Sequence, residues 1–297
     1  MSTNKSIIFK GTGTALITPF KDGKVDYFAL TSLIERQIAA GVEALIICGT
    51  TGESSTLQDD EHRCVIEHAV TVSAGRVPIV AGTGSNDTDY AVSLSRDACR
   101  AGADGLLVVT PYYNKTNEAG LVKHYYAIAD ASDKPVILYN VPSRTGMNIS
   151  LKAYKAMAEH PNIVAAKEAS GDISAIMRLM DTCGDSMRVY SGNDDQALPL
   201  IACGAIGVIS TVSNVIPAEF SDLIRKALEG DFATANLLRR KYAPLMDAMF
   251  TTVNPIPVKA ACSSLGLCSP EIRLPLVPME GEDLEKLRGV MKAAEVL

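Results

Sequence analysis

Residues 162–172 read NIVAAKEASGD, an apolar run that ends abruptly on a lysine. Ile163, Val164, Ala165 and Ala166 have the length and character of a short buried strand, and the Glu, Ser and Gly that follow Lys167 belong to a loop. The same design recurs on both sides of this stretch. Before it come GTALITPF (13–20), ALIICGTTGE (44–53), VPIVAGTG (77–84), GLLVVTPYY (105–113) and PVILYNVP (135–142); after it come RVYSGND (188–194) and GVISTVSN (207–214). Between them lie stretches such as DYFALTSLIERQIAAG (26–41) and DTDYAVSLSRDACRAGA (87–103), whose apolar residues fall at spacings of three and four. Strand and helix alternating through eight strand segments predict a parallel (β/α)8 TIM barrel.

A doubly wound open sheet is the competing architecture, and it usually carries a glycine-rich phosphate turn early in the chain. GTGTAL (11–16) and GTGSND (82–87) begin like such a turn, but Leu16 and Asp87 occupy the place of the third glycine. Both read as tight turns, and the barrel is preferred. From Pro217 onward the pattern changes to helices without strands. The expected organisation is therefore a barrel over residues 1–216 and a C-terminal helical extension over 217–297, interrupted by NPIPVKAA (254–261) and packed on the barrel or on another subunit.

Composition narrows the function. The 297-residue chain is 47% hydrophobic but only 5% aromatic and lacks Trp, so its core must be mostly Ala, Val, Ile and Leu. A net charge of −6 argues against a nucleic-acid or anionic-membrane surface, leaving individual Arg or Lys residues to hold any anionic substrate. No apolar run approaches the roughly 18 residues of a membrane span. The opening MSTNKSIIFKGTG has no signal-peptide pattern, so a soluble cytoplasmic protein is expected. The seven cysteines form no CxxC pair and read as mostly buried thiols of a reducing compartment. His62 and His68, six apart, do not share a helix face as two ligands four apart would, so no metal site is expected.

The chemically capable residues gather at strand ends: Thr50, Thr51 and Glu53; Tyr112 and Tyr113; Tyr139, Asn140 and Arg144; Lys167; Gly192 and Asn193. In a barrel these ends open on one face, where active sites of the fold lie. Strand alternation places Ile163, Ala165 and Lys167 on one side; if that side faces the axis, the lysine points into the barrel. A solvated lysine is the blander reading, as are turn or cap roles for the threonines, barrel packing for Tyr139 and a loop charge for Arg144. Convergence favours chemistry. A free lysine amine has a pKa near about 10.4, and a buried setting lowers such values enough to leave some amine neutral at pH 7. A neutral amine condenses with a ketone to an imine, and a Tyr hydroxyl linked to a Thr hydroxyl can shuttle the protons.

With GTGTALITPF, CGTTGES, AGTG, TPYYN, YNVPSRTG, AAKEASGD, SGND, GVIS and NPIPVKAA in order along almost the whole chain, the sequence resembles the dihydrodipicolinate synthase family of pyruvate-dependent class I aldolases. The resemblance implies that Lys167 forms a Schiff base with pyruvate and that Tyr139 donates and accepts protons. Thr50 would link Tyr139 to Tyr113, which in the family arrives from a neighbouring subunit of a homotetramer built as a dimer of dimers. Thr51, with backbone amides of its loop, would hold the pyruvate carboxylate, Ile209 would add a backbone contact, and Gly192 would leave room for the substrate. Arg144 would receive the carboxylate of L-aspartate-4-semialdehyde, a planar group that suits a guanidinium fork. The implied reaction belongs to diaminopimelate and lysine biosynthesis and uses no metal or organic cofactor.

Lysine-inhibited members of the family have an effector site whose polar groups match here at Ser54, His62, Asn86 and Tyr112. Tyr90 stands where an acidic side chain would pair with the effector's amine, and Asp59 replaces a frequent His, which weighs against feedback inhibition. Two other readings stay open at this point: a pyruvate aldolase acting on sugar acids, and a barrel that binds a ligand without catalysis. GTTGE in place of GSTGE, together with the SRTG arginine, favours the first-named activity over the N-acetylneuraminate lyase branch.

Overall fold

Strands β1 (Gly11–Ala15), β2 (Ala44–Ile47), β3 (Ile79–Gly82), β4 (Gly105–Val109), β5 (Val136–Asn140), β6 (Ile163–Glu168), β7 (Arg188–Ser191) and β8 (Gly207–Ser210) each pair in parallel with their neighbours in the chain. β8 returns to β1, with Gly11 opposite Gly207 and Gly13 opposite Ile209, and closes the barrel. This is the (β/α)8 architecture expected from the repeat. The computed structural model describes residues 5–297. A small hairpin of Phe20–Lys21 and Lys24–Val25 follows β1.

Around the barrel stand α1 (Tyr27–Ala39), α2 (Asp59–Ser73), α3 (Thr88–Ala101), α4 (Glu118–Asp130), the single turn α5 (Pro142–Thr145), α6 (Leu151–Ala158), α7 (Ile173–Cys183), α8 (Ala197–Ala202) and α9 (Pro217–Leu228). Their starts are written in the sequence. Asp26, Asp87, Asn117, Ser150 and Asp172 each accept a hydrogen bond from a backbone N–H in the first turn of the helix that follows. The helix α9 packs on β1 and beside α8, completing the ring of helices, so the expected division at 216 falls inside the last β/α unit. Beyond it, α10 (Phe232–Ala248), α11 (Ile256–Ser264) and α12 (Gly281–Ala293) form the extension. No helix among the described residues is long and apolar enough to cross a membrane.

Apolar side chains separate into two layers. The outer one lies between strands and helices; the inner one fills the barrel with Phe9, Ala15, Ile46, Val80, Leu107, Ile137, Ala165, Tyr190, Ile209 and their neighbours. Phe9 and Tyr190 stack with ring centroids 4.3 Å apart and occupy much of that interior. The strand alternation anticipated for β6 fails at its start. Val136 pairs with Ile163, but the next residue, Ile137, pairs with Ala165, a register shift that leaves Val164 as an extra residue. Ile163 consequently joins the outer layer while Val164 and Ala165 both join the inner one. Past the shift the alternation recovers and carries Lys167 to the inside. The cysteines are also less uniformly buried than expected: all are free, Cys48, Cys183 and Cys262 are buried, Cys99 and Cys268 are half-buried, and Cys64 and Cys203 are exposed.

Candidate active site

Above the inner layer, at the C-terminal ends of the strands, lies a cavity of about 170 Å³. Thr50 and Thr51 enter it from the loop after β2, Tyr139 from β5, Arg144 from α5, Lys167 from β6 and Gly192 from the loop after β7. Six residues that the sequence spreads over 143 positions, from 50 to 192, thus share one wall, because strand ends of a parallel barrel all open on one face.

Lys167 and Tyr139 are register partners on adjacent strands, so their side chains leave the sheet on the same side. The amine sits 4.4 Å from the centroid of the Tyr139 ring, and Lys167 is only 7% exposed. Among the described residues no hydrogen bond or ion pair reaches its Nζ. The adjacent carboxylate, Glu168, points away from it, as the next residue of a strand must. There it is buried and accepts hydrogen bonds from Tyr154 Oη (2.5 Å), Asn140 Nδ2 (2.9 Å) and Ser170 Oγ (2.8 Å). This network ties the ends of β5 and β6 together and holds the negative charge outside the cavity. Burial, reinforced by Glu168, pushes the Tyr154 phenol well above its ordinary range.

Gly192 is required by packing. A Cβ there would lie 2.7 Å from Ala169 Cβ and 3.1 Å from Lys167 Cε. The room it leaves accommodates the lysine stem, and Gly192 also lines the cavity.

The loop after β2 leaves two backbone amides without protein acceptors among the described residues. Neither Thr50 N–H nor Thr51 N–H donates to an acceptor among the described residues, while Gly52 N–H and Glu53 N–H close turns onto Gly49 and Thr50 carbonyls. Two free amides beside a buried hydroxyl suit a carboxylate. Arg144 supplies the cation at the rim, with Nη2 donating to Asn254 O at 2.9 Å.

Asp194, just past Gly192, is buried; its Oδ2 accepts from Thr211 N–H (3.1 Å) and Val212 N–H (2.8 Å), and its Oδ1 has no partner. Burial pushes this carboxyl up to about 6, opposed by the two backbone donors and the Lys167 charge.

The remaining expected residues distribute differently. Ile209 lies in the inner apolar layer and does not line the cavity. Tyr113 is 92% exposed, with φ of 68°, and stands outside the cavity of its own chain. Ser54, His62 and Tyr112 do meet, in a second cavity of about 410 Å³ that shares Thr50, Val141 and Arg144 with the first. Asn86 is not in its wall; its carbonyl accepts from Asn114 Nδ2 at 2.9 Å. His62 Nε2 donates to Gly82 O at 2.9 Å, and burial lowers the pKa of its ring. Tyr90 crosses the mouth and donates to Asp59 Oδ1 at 2.5 Å, its phenol pushed up to about 12 by burial and by that carboxylate.

Sequence reading missed Phe250 and Asn254, which close the first cavity from the extension. NPIPVKAA was visible as a break in the helical pattern, but its asparagine gave no sign of reaching the barrel mouth.

An enclosed amine facing a phenol, two hydroxyls and a guanidinium at the mouth of a parallel barrel defines an enzyme-type site for a small, anionic carbonyl compound. The chain matches the Dihydrodipicolinate synthetase family over residues 8–294 and belongs to it. It is 48% identical over 286 residues to the 4-hydroxy-tetrahydrodipicolinate synthase of Pelobacter propionicus, covering 96% of this chain and 99% of that one. Among solved structures, the dihydrodipicolinate synthase of Aquifex aeolicus superposes with a TM-score of 0.95 at 48% identity, covering 97% of this chain and 99% of the other. A monomeric dihydrodipicolinate synthase variant superposes with a TM-score of 0.96 at 40% identity over 98% of both chains.

Proposed function

We infer that this protein is a lyase that condenses pyruvate with L-aspartate-4-semialdehyde to give 4-hydroxy-tetrahydrodipicolinate, in the diaminopimelate and lysine pathway. The observation that carries the residue assignment is the Lys167 amine, enclosed, without a bonded carboxylate among the described residues and packed over Tyr139.

The steps follow from what surrounds that amine. Lys167 Nζ adds to the pyruvate ketone, the hydroxyl of the adduct leaves as water with a proton from the Tyr139 phenol, and a cationic imine remains beside the Tyr139 phenolate. A methyl proton passes to the Tyr139 oxygen while its electron pair flows toward the imine nitrogen, giving an enamine. The enamine carbon attacks the aldehyde carbon, whose oxygen takes a proton. The amino group of the second substrate then adds to the imine carbon and expels the lysine amine, closing the ring. Thr51 and the free Thr50 and Thr51 amides support binding of the pyruvate carboxylate, and Arg144 that of the semialdehyde. On the family pattern, the backbone of Ile209, whose side chain lies in the inner layer, would contact pyruvate.

The exposure of Tyr113 supports a role in trans, with its phenol entering a neighbour's cavity and connecting through Thr50 to Tyr139. The active form would then be a homo-oligomer, a tetramer on the family pattern. Mixing Lys167→Met with Tyr113→Phe protomers should restore activity that neither variant has alone. We place the enzyme in the cytoplasm, where seven free thiols are in keeping with the redox conditions. The Tyr90–Asp59 bond puts a phenol and a bonded carboxylate at the mouth of the second cavity, so millimolar L-lysine should leave the rate unchanged.

Borohydride reduction in the presence of pyruvate, followed by peptide mass analysis, tests the core of this reading. A reduced adduct on Lys167 is expected, and an unmodified Lys167 in active protein would refute it. Sugar acids offered in place of the semialdehyde distinguish the aldolase alternative.

A further inference from the structure

The break in the extension, NPIPVKAA, has a place in the fold that packing alone does not explain. Asn254 is buried at 6% exposure and touches both carboxylate-recognition groups of the cavity at once. Its side-chain Nδ2 donates to Thr51 Oγ1 at 3.0 Å, and its backbone oxygen accepts from Arg144 Nη2 at 2.9 Å. With Nδ2 donating, Thr51 Oγ1 accepts and its own hydrogen is left for another acceptor in the cavity that Thr51 lines, while Asn254 Oδ1 has no partner among the described residues. The second bond engages one edge of an exposed guanidinium and leaves its other donors for a ligand.

Asn254 is itself held. Five residues on, Lys259 in α11 is buried against Glu53, which lies two residues after Thr51 in the catalytic loop. Glu53 takes up the left-handed backbone region, φ 55°, and its second oxygen accepts from Arg273 N–H at 3.1 Å. Arg273 in turn donates to the Thr56 carbonyl at 2.8 Å, so the extension grips the same loop at two further points.

We propose that Asn254 is a positioning residue for this reaction, orienting the Thr51 hydroxyl toward the carboxylate of the keto acid through its side chain and tethering Arg144 through its backbone, with the Lys259–Glu53 pair fixing the segment that carries it. This rests on the reading of the cavity as a pyruvate site.

Because the two bonds use different parts of Asn254, substitution separates them. Asn254→Ala removes the bond to Thr51 but keeps the carbonyl that tethers Arg144. KM for pyruvate should rise about 10-fold, the worth of one ordinary hydrogen bond, while KM for the semialdehyde changes by less than about three-fold. In a Thr51→Ala background the same substitution should have no further effect on KM for pyruvate. A residue that merely supports the fold would raise both KM values together, or act equally in both backgrounds, and either result overturns the proposal. So does an unchanged KM for pyruvate. Asn254→Ser, too short to reach Thr51, replaces the Ala variant if that chain does not fold. Wild-type protein is trapped with pyruvate and borohydride in parallel. Absence of its adduct means the pyruvate reading has failed, whereas a normal adduct with an unselective Asn254 effect rejects the positioning role alone.

Discussion

Two lysines among the described residues are buried over aromatic rings, and only one of them is bonded to a carboxylate. Lys259, 1% exposed, lies 4.1 Å from the Phe20 ring centroid and is paired with Glu53. Lys167, 7% exposed, lies 4.4 Å from the Tyr139 ring centroid with no carboxylate bonded to it. Burial holds the Lys259 amine below its ordinary range, opposed by Glu53. A buried amine with a bonded carboxylate is a tie between two pieces of chain, since its lone pair is committed to a proton shared with the partner. A buried amine without one, next to a phenol, suits the nucleophile role proposed for Lys167. Burial and an aromatic neighbour do not separate the two; a bonded carboxylate does.

The sharpest way to break this contrast is to remove each amine with the same substitution. Lys167→Met should cost roughly 10⁴-fold or more in kcat and abolish borohydride trapping, with thermal stability unchanged or improved, since no charge loses a partner. Loss of folding with retained specific activity would reverse the assignment. Lys259→Met should instead destabilise by about 3–5 kcal/mol in denaturant titrations, because it strands Glu53 without its cation. Protein that remains folded should still trap pyruvate, and adding Glu53→Gln should recover more than half of the loss.

Tyr139→Phe sharpens the Lys167 side. The ring under the amine remains while the proton carrier goes, so kcat should fall roughly 10²- to 10³-fold and the adduct should still form slowly. An unaffected kcat would mean that another group moves the protons.

The smallest effect concerns Asp194, a carboxylate that shares the neighbourhood of Lys167 without bonding to it. Its carboxyl is raised from 3.8 to about 6, so the folded protein holds this proton more tightly than the unfolded chain does. The resulting stabilisation is complete below pH 3.8 and is lost as pH rises through about 6. Relative to wild type, Asp194→Asn should therefore lack that component, and the difference in Tm between the two should change across pH 4–6 and level off above it. A constant difference would place the ordinary carboxylate titration there.

Much of the architecture was legible because each β/α unit carries its own periodicity. The eight apolar segments, with GTTGE, YNVPSRTG and AAKEASGD at strand ends, announced both the barrel and the face on which the cavity lies. The shift at Val164 was not legible, since IVAA offers apolar residues to either side and only pairing with Val136 and Ile137 decides which faces the axis. Tyr113 and Ile209 illustrate the opposite limit: motif resemblance assigned them roles, but the single chain leaves one exposed and the other in the inner layer.

By itself the sequence determined the strand and helix pattern, the strand-end residues and the family, all of which are properties of short segments read in order. Tertiary structure alone decided which lysine stands unpaired and that Asn254 joins Thr51 to Arg144. Those contacts span up to 206 positions, between Glu53 and Lys259, and exist only after the barrel closes and the extension folds back over its mouth. Periodicity constrains which face of a segment is buried; it carries no information about which distant charge will be waiting there.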